Sequence, residues 1–164
     1  MFSLIITIIS IALVVALIAA TAYYGGDTLT EGRNSADAAA YVAGGQQIAG
    51  ATHAYIINKG THPADMDDLV LENLLISPPN VKSRSVTNEW VFDTLGEGEK
   101  RIVKIKFAGE REDNQKLCEK INRNAGASGI DSDTGAVTPA QAESMHYACV
   151  DFSAELPQVF IYKY

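Results

Sequence analysis

The sequence predicts an α+β protein: a long N-terminal α-helix, a four-stranded antiparallel sheet packed on the helix's C-terminal half, and a disulfide-closed C-terminal region. Three observations predict it. Residues 1–26 carry no charge, and all 13 basic and 20 acidic residues of the 164-residue chain follow Gly26. Apolar and small residues then recur at spacings of three and four from Ala38 to Ile56, the period of a helix that buries one face. Farther on, Val103, Ile105 and Phe107 alternate with Ile102, Lys104 and Lys106, the period of a strand with one buried face.

From Met1 to Tyr24 the polar groups are the hydroxyls of Ser3, Thr7, Ser10, Thr21, Tyr23 and Tyr24. As a helix this run is about 36 Å long at roughly 1.5 Å per residue. A hydrocarbon layer is about 30 Å thick, so the run is long enough to span one, with Tyr23 and Tyr24 at interfacial depth. A core helix of a small soluble domain is not apolar on every side. A signal peptide or a single-pass anchor would open on Lys or Arg, and Met1 to Gly26 has neither. The expectation is therefore that a short basic leader has been removed upstream of Met1. Residues 1–26 are assigned to a hydrophobic transmembrane or filament-core helix. Residues 27–164 form a globular head that includes the amphipathic half of the long helix, 27–58.

In that half, Ala38, Tyr41, Val42, Gly45, Ile48, Ala49, Thr52, Tyr55 and Ile56 form one stripe. Glycine at 25, 26, 44, 45 and 50 costs roughly 1 kcal/mol each relative to Ala in a helix interior, which points to close packing or local unwinding. Lys59, Gly60 and Thr61 end the helix. Pro63 with Asp65, Asp67 and Asp68 reads as the first turn of a short helix. Its buried face is Met66, Leu69, Val70, Leu74 and Leu75, and Pro78 and Pro79 stop it. Asn88 to Leu95 and Arg101 to Phe107 read as strands joined by Gly96, Glu97, Gly98 and Glu99. Asn114 to Asn124 is a short helix carrying Leu117, Cys118 and Ile121, followed by a polar stretch from Gly126 to Thr138. Thr138, Pro139 and Gln141 then offer a capping box. His146 to Ser153 and Gln158 to Tyr164 close the chain as strands separated by Leu156 and Pro157.

A net charge of −7 argues against general nucleic-acid binding, which needs clustered Lys and Arg. The basic run Lys100, Arg101, Lys104, Lys106 reads as a solvated strand face. Cys118 and Cys149 are the only cysteines, and a head carried on such a stem lies outside the cytoplasm, where disulfides persist. Pairing them closes a loop of about 32 residues and stabilises the fold by roughly 3 to 4 kcal/mol in the chain-entropy model. The alternatives are two free buried thiols or a metal site. No phosphate loop, His-Glu-x-x-His, Cys-x-x-Cys or nucleophile elbow occurs, so no catalytic, cofactor-binding or metal residue is assigned and the chain is read as a non-enzyme. His53, His62 and His146 are scattered. Asp131 to Gly135 is faintly like the start of a calcium loop, but the far-end Glu that such a loop needs is replaced by Ala142.

An uncharged N-terminal helix running into an amphipathic one, a short acidic helix, an antiparallel sheet and the segment from Leu117-Cys118-Glu119-Lys120-Ile121-Asn122 to Tyr147-Ala148-Cys149 together resemble a mature type IV pilin. The likeness is greatest to the type IVb group and the pilins of conjugative thin pili. It implies a structural protein that polymerises into an extracellular pilus, or fimbrium, for adhesion, conjugation, DNA uptake or motility. It also implies that Met1 is left by a prepilin peptidase and is N-methylated. The subunit would wait in the inner membrane until pilus assembly machinery extracts it to the surface of a Gram-negative cell. Met1, Phe2 and Ile5 would then be the processed, assembling end. Leu4, Ile8, Ile11, Val14, Val15 and Ile18 would pack the filament core, and Gly25 and Gly26 would be where the helix melts. Two departures stand out. Ile5 occupies the position where most pilins carry a docking Glu, and Val14 and Ala22 replace the usual helix-weakening Gly and Pro. A minor tip pilin, a secretion-system pseudopilin and a membrane-anchored periplasmic binding domain are the alternative readings.

Overall fold

A computed structural model describes the backbone of all residues except 1, 82–88, 97–99, 110 and 153–157, and side chains outside these and 2–4, 22–29 and 111–113. The chain forms two compact units, Met1–Asn34 and Ser35–Tyr164. The tip of the expected hairpin at 97–99 and the separator Leu156–Pro157 lie outside the described residues.

One helix, α1, runs Phe2–Lys59. It is unbroken at Gly25, Gly26, Gly44, Gly45 and Gly50. At two of them the purpose is close packing. A Cβ at Gly45 would stand 2.7 Å from Tyr162, and one at Gly44 would stand 2.9 Å from Trp90, whereas Gly50 faces open space. The helix stops at Gly60, whose φ of 72° an L side chain adopts at a cost, with its N–H on the Ile56 carbonyl at 2.8 Å.

Helix α2, Met66–Leu71, starts later than Pro63 implies. Asp65 is its N-cap, accepting from the Asp68 N–H at 3.1 Å, because a carboxylate in extended backbone satisfies an orphan donor that proline cannot. It also ends before Pro78. Asn73 turns into the left-handed region at φ 56°, and the N–H groups of Leu74 and Leu75 return to the Leu69 carbonyl.

Strands β1 (Val91–Leu95), β2 (Lys100–Lys106), β3 (Tyr147–Val150) and β4 (Val159–Lys163) form one antiparallel sheet in the order β1-β2-β4-β3. Val103 pairs with Tyr162 and Ile105 with Phe160. This face packs on the stripe of α1: Tyr41 and Ile48 are fully buried, and the Tyr41 ring meets Phe107 edge-on at 4.9 Å. Trp90 closes this core, its indole N–H donating to the Pro79 carbonyl at 2.8 Å.

The second face of β2 is not simply solvated. Ile102 is fully buried, in a smaller cluster with Leu95, Val137, Ala142, Met145, Ala148, Val150, Val159 and Ile161. The stretch read as polar, 126–138, supplies part of this cover: Ala136 and Val137 are buried, and Val137 bridges Val150. Helix α4 (Pro139–Ala142) then caps itself, with reciprocal bonds between Thr138 and Gln141, the box that its sequence announces.

Helix α3 runs Arg111–Asn124 and carries Cys118, which is disulfide-bonded to Cys149 of β3 with Cα atoms 5.2 Å apart and a sequence separation of 31.

Candidate functional site

The most unusual surface belongs to the first unit. Between residues 5 and 21 every side chain is exposed, and Ile5, Ile8, Ile11, Val14, Val15 and Ile18 are each 53–64% accessible. At about 100° per residue these positions surround the helix, so no single stripe explains them. The hydroxyls here turn inward on the backbone. Ser10 donates to the Ile6 carbonyl at 2.9 Å, and Thr21 donates to Leu17 and Ile18 at 2.8 and 3.0 Å. Such bonding lets a helix present hydroxyl-bearing residues to an apolar medium without unpaired donors. Among the described residues no helix is long and apolar enough to cross a membrane; the described side chains of the uncharged run are 5–21, about 26 Å of helix. The side chains of Met1, Phe2, Leu4 and Ala22 lie outside the described residues. Gly25 and Gly26 have helical backbone.

The second unit holds the disulfide in a polar clamp. Asn122 is fully buried beside it. Its amide donates to the carbonyls of Gly135 and Cys149, both at 2.9 Å, and its carbonyl accepts the Cys149 N–H at 2.8 Å. Gly135 fits against α3 because a Cβ there would stand 2.2 Å from the Gln115 carbonyl oxygen. The 131–135 turn that resembled a calcium loop is closed by its own first residue. Asp131 Oδ1 accepts the N–H groups of Asp133 and Thr134, both at 2.9 Å, and the Thr134 hydroxyl at 3.1 Å. Among the described residues no group of three or more His, Cys, Asp and Glu side chains could hold a metal ion.

Several of the head's charges are paired locally. Lys104 of β2 bonds Asp93 across the β1–β2 ladder. Partial burial would raise the Asp93 pKa, but the Lys104 ammonium and the Thr94 N–H outweigh it and hold the carboxyl below its ordinary value. Lys59, at the end of α1, bonds Glu72 at 2.8 Å and is held above its ordinary value by that bond. Lys163 is pushed below its ordinary value by burial and then by Lys100, against the pull of Glu143.

The histidines that look scattered in sequence separate into two settings. The His62 ring meets that of Tyr164 at a 50° tilt with centres 6.4 Å apart, while His53 and His146 line one cavity. No sequence signal marks that cavity, because its walls come from segments about 90 to 120 residues apart that only the sheet topology assembles.

Searches of family models, of curated proteins and of solved structures found no match to this chain.

Proposed function

We propose that the chain is a structural subunit that polymerises through its N-terminal helix into a filament of the type IV pilus kind. The observation that carries this reading is the uncharged helical surface at 5–21, apolar on all sides and with its described hydroxyls bonded internally. Fully burying one Leu or Ile side chain is worth about 1.5–3 kcal/mol. Eight Leu and Ile side chains and two Val between 5 and 21, left in water, would therefore oppose any monomeric state, and contact with lipid or with other stems relieves that cost. The continuous α1, the sheet packed on its upper stripe and the disulfide between α3 and β3 support the same reading, since they match the layout the resemblance implies. In it, the helix sits in the inner membrane until assembly, and stems pack together in the filament core.

Ile5 fits a subunit held easily in lipid. A carboxylate deep in a bilayer costs about 2.5 to 3.5 kcal/mol on insertion scales, a cost Ile5 does not incur. The corresponding docking pair with a neighbour's terminal amine is absent, so docking rests on apolar contact. The test is Val14→Lys in the full chain. Val14 is 54% exposed, so the substitution leaves the head's core untouched. Filaments should be lost while Trp90 still reports a folded head, and normal filament yield from the variant would contradict the reading.

A further inference from the structure

A cavity of about 500 Å³ opens in the head between the α1 face carrying Gln46 and His53, the segment 144–146, and residues 162–164 of β4 and its end. That volume lies within the range of small-molecule sites. Its chemistry inverts that of the chain. The protein carries 20 acidic against 13 basic residues, yet none of the described residues lining the cavity is Asp or Glu, while two imidazoles, a lysine, an amide and a serine hydroxyl line it. The carboxylate of Glu143, next to this wall, is engaged 3.7 Å from Lys100. The Glu143 carbonyl takes one hydrogen of the Lys163 ammonium, which has three. Burial first, and then Lys100, push Lys163 below its ordinary value against the pull of Glu143. The apolar part of the wall includes Tyr162, whose ring lies parallel to that of Tyr147 at 6.2 Å and is backed by Gly45.

We propose that this cavity binds a small phosphorylated molecule, with His53, His146 and Lys163 meeting the phosphate and the Tyr162 side meeting the body that carries it. Donors arriving from three separate segments suit a tetrahedral anion, whose oxygens diverge, better than a planar carboxylate. Binding here is a property of the head and does not depend on stems assembling.

The experiment titrates the full-length, detergent-solubilised chain, ¹⁵N-labelled, with glucose 6-phosphate, glucuronate or glucose, following the imidazole resonances of His53 and His146. Glucose 6-phosphate should give saturable shifts of both rings, glucose none, and glucuronate markedly weaker ones. His53→Ala and His146→Ala each alter an exposed side chain, and each should weaken glucose 6-phosphate binding by about tenfold, the size of one lost hydrogen bond to a charged group. Trp90 fluorescence verifies that both variants stay folded. Absence of saturable shifts, equal binding of glucose or glucuronate, or unchanged affinity in both variants would overturn the assignment.

Discussion

Replacing Gly45 with Ala tests how the sheet is seated on α1, and Gly50→Ala supplies its control. Both positions are interior to the same helix, so both substitutions gain about 1 kcal/mol in helix propensity. They differ in what the new methyl meets. At 50 it meets nothing within 4 Å, whereas at 45 it lies 2.7 Å from Cβ, Cγ and Cδ2 of Tyr162. Because Cβ is the root of that side chain, no rotation about χ1 moves it away. Tyr162 cannot retreat cheaply either, since its backbone is paired with Val103 on one side and Tyr147 on the other. Helix and sheet must separate by several tenths of an ångström or more, and overpacking of this kind costs about 1–3 kcal/mol. Gly50→Ala should therefore be stabilised by up to about 1 kcal/mol. Gly45→Ala should lie about 1–3 kcal/mol below it, the difference being the contact alone because propensity cancels. The assay is urea unfolding followed by the fluorescence of Trp90, the only tryptophan, which is 3% exposed and sits in the same core. If Gly45→Ala proves as stable as Gly50→Ala, the close approach of α1 to β4 is wrong.

Other expectations concern the disulfide, its clamp and the acid limb of stability. Cys118→Ser with Cys149→Ser should cost the head about 3–4 kcal/mol, read as a drop in the urea midpoint, and an unchanged midpoint would refute it. Asn122→Ala leaves two carbonyls and an N–H without their buried partner and should cost roughly 3 kcal/mol; Asn122→Asp, which keeps the acceptor but loses the donors, should not rescue it. Asp93 has a folded-state pKa below its unfolded value of 3.8. The stability it contributes is therefore present above that value and lost as pH falls through the lower folded one. Asp93→Asn should flatten that part of the acid limb, modestly because the pair is partly exposed, and a pH profile identical to wild type would contradict the ladder bond. Lys163 has the opposite linkage. Its folded pKa lies below 10.5, so the unfolded chain holds more protons and stability rises with pH across the window between the two. Lys163→Met should remove that rise, as measured by melting temperature against pH.

Features set by local chemistry were legible in the sequence. The capping box at Thr138 and Gln141, the end of α1 at Gly60 and the alternation of β2 each depend on neighbours within a few residues. Features set by distant segments were not. The alternation of β2 showed that Val103, Ile105 and Phe107 share a face, yet nothing in it showed that Ile102 would be buried as well, because its cover comes from 137–145 and from β3 and β4. The glycines at 44 and 45 left close packing and local unwinding both open, and did not name Trp90 and Tyr162 as the partners. Proline suggested both ends of α2, and both were set instead by residues that satisfy the backbone, Asp65 as acceptor and Asn73 as the left-handed turn. For the candidate surface, the missing charges in residues 1–26 were sufficient. The structure adds that the side chains of 5–21 are exposed on all sides of the helix. The cavity holding His53 and His146 left no local trace.

Electron cryo-microscopy of the purified full-length chain, with detergent withdrawn, bears most directly on assembly. Helical filaments with residues 5–21 of neighbouring copies packed along the axis and heads outside are the predicted result. Monodisperse, detergent-bound single chains under every condition, with none of these side chains meeting another copy, would contradict it.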